Sequence, residues 1–243
     1  MLPPPILDLQ SLIARFARCA APLRVLEAGC GSLPMAVELG DEAHLVGIDI
    51  SERQLRDNSA IAERILGDVQ THAFPPGSFD VIFCWDVLEH LPRPVSALDN
   101  FRVAARADGL IVLKLPNILS AKGLVTKFTP HRFHVWVYRK LLGYPNAGKD
   151  GYTPFRAFMR WSIAPHRIAE YALRHGLSIE YEATYEADRQ TALRERLRLT
   201  GRSWRALSEL SRRLTRGMVD LEGTELIIVL RNERQPAHTG NRS

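Results

Sequence analysis

Arg24-Val25-Leu26-Glu27-Ala28-Gly29-Cys30-Gly31-Ser32 is an aliphatic run that ends in an acidic residue and a glycine pair. It reads as a buried strand breaking into a tight turn, where glycine lets the backbone come close to a ligand. Pro34 follows, and proline is tolerated in a first helical turn because its missing N–H has no helical partner there. Strand, glycine turn and helix start make a nucleotide-sized site, although many such turns carry glycine for geometry alone. The surrounding chain decides between the two.

Downstream, His44-Leu45-Val46-Gly47-Ile48-Asp49-Ile50 is a second apolar strand ending in a carboxylate, at the distance at which a nucleotide-binding βαβ unit places an acid. A short helix is expected around Met35 to Leu39 between the two, and Ser51 with Gln54 forms a capping-box pattern for the next helix. Glu63 to Leu66 reads as a third strand closed by Gly67-Asp68, and Phe79-Asp80-Val81-Ile82-Phe83-Cys84-Trp85 as a central fourth. A helix is expected through Ala97, Leu98 and Phe101 to about Ala107, stopped by Asp108-Gly109, before a fifth strand, Leu110 to Leu115. Upstream, Ile6, Leu9, Ile13, Phe16 and Ala17 have helical spacing, which predicts a helix on the edge of the sheet. Later come a helix from Pro165, a strand Leu177 to Tyr185, an arginine-rich helical stretch over 188–217 and a last strand from Thr224 to Leu230. Alternating strands and helices with short connections imply an α/β fold with a doubly wound, mostly parallel sheet and helices on both faces. Ligands of such sheets bind beyond the carboxyl ends of the strands, which here carry Glu27, Asp49, Asp68 and Trp85-Asp86.

The 243 residues suffice for one large domain with a substantial core. Cys19, Cys30 and Cys84 are too few and too scattered for a disulfide framework or a zinc knuckle, so a cytoplasmic location is expected. Neither a signal peptide nor a membrane span is expected. A net charge of +5 is compatible with an anionic partner without establishing one.

Taken together, Val-Leu-Glu-Ala-Gly-Cys-Gly-Ser at 25–32, Val-Gly-Ile-Asp-Ile-Ser at 46–51, Leu-Gly-Asp-Val at 66–69, Phe-Asp-Val-Ile-Phe-Cys-Trp-Asp-Val-Leu-Glu-His-Leu-Pro at 79–92 and Gly-Leu-Ile-Val-Leu-Lys-Leu-Pro-Asn at 109–117 resemble the class I S-adenosylmethionine-dependent methyltransferases. The resemblance implies a Rossmann-like sheet of seven strands with an antiparallel last strand, S-adenosylmethionine as cofactor, and methyl transfer to a small-molecule acceptor, with a hydroxyl as the expected nucleophile in secondary or cell-envelope metabolism. It further implies that Glu27, Ala28, Gly29 and Gly31 hold the methionine end, and that Asp49, beside Ile50, accepts from the ribose hydroxyls. Asp68 and Val69 would meet the adenine, and Cys84 and Trp85 would line the cofactor near the sulfonium. The family's third glycine is Ser32 here, which leaves the seating of the helix start open. Gly-Asp at 67–68 is also ordinary turn chemistry.

Asp86, Glu89 and His90 sit where some relatives bind a divalent metal; no metal is expected here, and that set is kept as the alternative. His131 and His134 are the candidate general bases, since imidazole titrates near working pH. Residues 118–163 hold nine of the nineteen Phe, Trp and Tyr residues and are expected to form a lid walled by Phe133, Trp136, Tyr138, Tyr152 and Phe155. Residues 186–222 are expected to be a helical insertion whose leucine stripe packs on its own domain. A peripheral membrane contact or a dimer contact through 188–217 is the alternative. Two other readings stand beside small-molecule methylation: an RNA methyltransferase, suggested by the basic balance but without an appended RNA-binding module, and a non-catalytic cofactor-binding protein.

Overall fold

The computed structural model describes all residues except 1–2, 21, 34–36, 40–41, 141–142, 150–153, 197–199 and 234–243. Seven strands form one sheet: β1 (Arg24–Ala28), β2 (His44–Asp49), β3 (Glu63–Leu66), β4 (Phe79–Trp85), β5 (Ala105–Pro116), β6 (Leu177–Tyr185) and β7 (Glu225–Asn232). Their order is β3-β2-β1-β4-β5-β7-β6. β7 runs antiparallel to both neighbours, and the pairings from β3 to β5 are parallel. The chain winds outward from β1 in one direction and from β4 in the other, so the crevice for a ligand opens beyond the carboxyl ends of β1 and β4.

Eight α-helices are described: α1 (Pro4–Ala20), α2 (Glu52–Asp57), α3 (Pro94–Ala104), α4 (Ala121–Phe128), α5 (His131–Lys140), α6 (Pro165–Arg174), α7 (Asp188–Arg196) and α8 (Gly201–Leu214). The central strands are apolar on both faces, and alternate residues go to opposite layers. On one face Leu26, Ile82, Leu113 and Ile228 pack with Ala97, Leu98 and Phe101 of α3 and with Ile168 and Ala172 of α6. On the other, Val25, Val81, Phe83, Val112 and Val229 are covered by Ile6, Leu9 and Ile13 of α1. The first helix packs against the edge strand β6, as expected, where the Tyr181 hydroxyl donates to the Pro5 carbonyl at 3.3 Å, and it extends the cover over this face of the sheet.

Two boundaries also differ from expectation. α3 ends at Ala104, and β5 begins at once, with Ala105 paired to Phe79. The pairing then skips to Leu110 opposite Val81. Asp108, at φ 62, lies within that irregularity, so Asp108-Gly109 marks a bulge in the strand and not the end of a helix. Arg106 closes it by an ion pair to the buried Asp80. Of the helix expected at 35–39, residues 35–36 lie outside the described residues, and Val37 to Leu39 are not helical.

Candidate active site

The glycine turn is fastened to the neighbouring strand end. The N–H groups of Gly29 and Cys30 donate to the Ile48 carbonyl at 2.7 and 3.2 Å. Asn58, fully buried, donates its amide to the carbonyls of Cys30, Gly31 and Leu33 at 3.1, 3.4 and 3.2 Å. No sequence motif singled out Asn58; its part shows only once the turn is seen above it. Gly29 has φ 72, and a Cβ there would stand 2.4 Å from Val87 Cγ2, so both conformation and space require glycine. At Gly31, with φ 56, a Cβ would meet nothing within 4 Å; the turn is open on that side.

The acids stand at the strand ends. Glu27, at the end of β1, is 7% exposed, and its Oε2 has no hydrogen-bond partner. Burial pushes its pKa up to about 7. A buried carboxylate oxygen with an open valence at a glycine turn fits the cationic amine of an amino-acid moiety. Asp49, 8% exposed, accepts from the Gly31 N–H at 3.0 Å and the Ser51 N–H at 2.8 Å. This holds both oxygens in place while each keeps a lone pair free for a further donor such as a hydroxyl. Ile50 is 78% exposed beside it. Asp68 accepts from the Gln70 N–H at 2.9 Å and the Gln70 amide at 3.0 Å, the turn chemistry that its sequence context also allowed. Val69 is buried and its carbonyl accepts from Asn100 at 2.8 Å. Cys84 is fully buried in the core beside Ala28, so its side chain does not line the crevice, and only its backbone is available there. Trp85 packs on the α1 layer.

Next to this crevice lies a cavity of about 800 Å³. Its floor is made by the ends of β4 and β5 and the start of β7, one wall by α4, α5 and residues 154–159, and the other by α7 and α8. α4 is seated by the Ser120 cap to the Gly123 N–H at 3.0 Å, and α5 follows after Thr129-Pro130. His131, His134 and Tyr138 recur at helical spacing and line the cavity with Phe155. Phe133 and Trp136 fall on the opposite side of α5. They are 46% and 51% exposed and stack on each other at 6.1 Å. The expected wall of aromatics is thus corrected: helical period, and not aromatic character, decides which side chains face inward. Tyr152 lies outside the described residues.

The floor is ionic. Lys114 reaches Asp86 at 2.6 Å and Glu225 at 3.1 Å, and Lys122 reaches Glu225 at 2.5 Å. Asp86 has φ 54, a left-handed conformation that costs a non-glycine residue about 1–2 kcal/mol. The Lys114 pairing and the bond from the Asp86 N–H to the Lys114 carbonyl at 2.8 Å hold it there. Glu89 is 4% exposed, its Oε2 is unpartnered, and its pKa is pushed up to about 8 chiefly by burial and then by Asp86. At neutral pH it is mainly a neutral carboxylic acid. His90 Nδ1 lies 2.8 Å from the Arg156 carbonyl. A carbonyl only accepts, so Nδ1 carries a proton, and in the neutral ring Nε2 is the basic nitrogen. Nε2 stands 3.8 Å from Glu89 Oε1, and the ring meets Phe155 edge-on.

Asp86, Glu89 and His90 do not converge on a point, and among the described residues no group of three His, Cys, Asp or Glu is placed to hold a metal. His134 Nε2 pairs with the Thr129 hydroxyl at 2.8 Å. Burial, then His134 and Arg156, lowers the pKa of His131. Sequence reasoning missed the wall from α7 and α8, which contributes Gln190, Arg194 and Trp204. It also expected the leucine stripe of 188–217 to be packed, whereas Leu207, Leu210 and Leu214 are 47%, 53% and 76% exposed. α8 turns Trp204 and the buried Ser208 inward instead, so the residue with the largest side chain, and not the leucine row, sets its orientation. No described helix is long and apolar enough to cross a membrane.

A methyltransferase-domain family model matches residues 6–147. A ubiquinone biosynthesis O-methyltransferase from Thiobacillus denitrificans is 31% identical over 106 residues, 39% of this chain and 46% of that protein. One from Azoarcus sp. is 26% identical over 165 residues, 64% of each chain. The match thus spans about half to two thirds of the length of these relatives. Among solved structures, the [4+2]-cyclase SpnF superposes with a TM-score of 0.55 at 14% identity, covering 94% of this chain and 82% of that one. An S-adenosylmethionine-dependent methyltransferase from Mesorhizobium loti gives 0.50 at 17% identity, covering 88% and 95%. These two share the fold, and the family model covers more than half of the sequence: the chain belongs to the methyltransferase-domain family.

Proposed function

We propose that the chain transfers the methyl group of S-adenosylmethionine to a hydroxyl of a small-molecule acceptor held in the cavity beyond β4 and β5. One observation carries this reading: the segment leaving β4 borders both places, with the Cys84 backbone beside Ala28 at the end of β1, and Asp86, Glu89 and His90 lining the cavity. A donor in the crevice and an acceptor in the cavity would meet over this segment. The bound cofactor supplies an electrophilic methyl on a sulfonium. Glu27 binds its ammonium, Asp49 its ribose hydroxyls, and the exposed Ile50 with Asp68 and Val69 border its adenine. His90 Nε2 takes the proton of the attacking hydroxyl, with Nδ1 anchored to the Arg156 carbonyl. His131 and His134 stand on the facing wall as acceptor contacts or as an alternative base.

The relatives' name, O-methyltransferase in a biosynthetic route, supports oxygen as the nucleophile. The lysines of the floor and Arg194 are paired with carboxylates, which supports a small molecule over a nucleic-acid phosphate. Residues 118–163 serve as the lid and 186–222 as the opposite wall. The exposed leucines of α8 suit a peripheral or subunit contact. The three free cysteines, two of them buried, suit a reducing cytoplasm. The test is incubation with S-adenosylmethionine and a panel of hydroxylated aromatics. S-adenosylhomocysteine and an O-methylated product should form, and His90→Gln should lower kcat at least a hundredfold with cofactor affinity unchanged. Cofactor binding without turnover of any oxygen acceptor would favour a non-catalytic protein.

A further inference from the structure

We propose that Gln190 and Trp204 form a specificity subsite that reads a second hydroxyl on an aromatic acceptor, apart from the hydroxyl that is methylated. This rests on the methyltransferase reading above. The charged groups of the chamber satisfy one another: Lys114 with Asp86 and Glu225, Arg194 with Glu186. Two groups on the α7–α8 wall differ. Trp204 Nε1 and Gln190 Oε1 are buried without a hydrogen-bond partner, and both residues line the chamber. An indole N–H only donates and a carboxamide oxygen only accepts. Buried polar groups are nearly always satisfied, so such a pair in a cavity wall points to a ligand that completes it.

The pair is held in place. Gln190 and Arg194 stand four residues apart, on one side of α7, and Glu186 lies in the segment just before that helix. Arg194 binds Glu186 through two nitrogens at 2.9 and 2.8 Å. Its guanidinium lies over the Trp204 ring at 5.4 Å, which joins α7 to α8. A hydroxyl has the proton that Gln190 lacks and the lone pair that Trp204 lacks. A carboxylate would bring no proton to Gln190 and would face Glu186, and an ammonium would bring no lone pair to Trp204. Tyr138, Phe155 and the Trp204 ring supply an apolar approach suited to an aromatic carrier.

The test uses the full chain saturated with S-adenosylhomocysteine and titrated calorimetrically with 4,4′-dihydroxystilbene and with 4-hydroxystilbene. The dihydroxy compound should bind at least tenfold more tightly, because a site built to hydrogen-bond a hydroxyl rejects the analogue without it. In Gln190→Leu, and separately in Trp204→Phe, the preference should fall to within about twofold while S-adenosylhomocysteine affinity holds. Equal affinity for the two stilbenes, no binding of either, or a preference that survives both substitutions overturns the subsite while leaving the cofactor site standing. Failure of the unsubstituted chain to bind S-adenosylhomocysteine overturns the methyltransferase reading as well.

Discussion

Replacing Glu27 by glutamine should move stability and cofactor affinity in opposite directions. The Glu27 pKa in the folded protein, about 7, lies above its ordinary 4.5 because burial disfavours the charge. Below pH 4.5 the group is neutral folded or unfolded. As pH rises from there towards 7, the unfolded chain ionises first, and folding is opposed by about 1.4 kcal/mol per pH unit. The accumulated cost is on the order of 3 kcal/mol at pH 8. Glu27→Gln keeps the shape and cannot ionise, so at pH 8 the ligand-free variant should be the more stable by roughly 2–3 kcal/mol, and the gap should close towards pH 5. Binding changes the other way. An ammonium ligand requires the carboxylate, so affinity in the unsubstituted chain should rise with pH up to about 7 and then level. The variant should lose that rise and about 1.5–3 kcal/mol at pH 8, a ten- to hundredfold weaker Kd. Urea melts at pH 5 and 8 and calorimetric titration with S-adenosylhomocysteine read both quantities. A variant that binds as tightly as the parent at pH 8, or keeps its pH slope, would refute the role of Glu27.

Gly29→Ala should cost about 1–3 kcal/mol of stability through its positive φ, and should displace Val87 and weaken S-adenosylhomocysteine binding; a chain with parental Tm and Kd would remove the close-approach argument. Lys114→Met takes the cation from the partly exposed Asp86, while the buried Glu225 keeps Lys122, and should destabilise by about 1–2 kcal/mol. Adding Asp86→Asn should restore part of that loss in urea melts, and a double variant no better than the single one would count against the pairing.

The strand positions were legible because buried parallel strands are written as continuous apolar runs closed by Gly, Pro or Asp. Glu27 and Asp49 were legible for the same reason, since an acid closing such a run stands at the carboxyl edge of the sheet. The chamber was less so. His131, His134 and Tyr138 differ from Phe133 and Trp136 only in phase around α5, and phase becomes readable once the helix has a known register against the sheet. His90 stood in a recognised motif, yet its basic nitrogen is defined by the Arg156 carbonyl, 66 positions away in sequence. The α7–α8 wall was obscured by its arginines and leucines. The leucine stripe was expected to do the packing, whereas Arg194 is half-buried against Glu186 and Trp204.

If the acids closing β1 and β2 hold the methyl donor beside the chamber, removing one of them must cost cofactor affinity. The most direct test is the affinity of Asp49→Ala for S-adenosylhomocysteine, measured by calorimetry on protein shown to be folded by its melt. A loss of well over tenfold is expected, from about 1.5–3 kcal/mol for a removed charged acceptor. An unchanged Kd in the folded variant would contradict it.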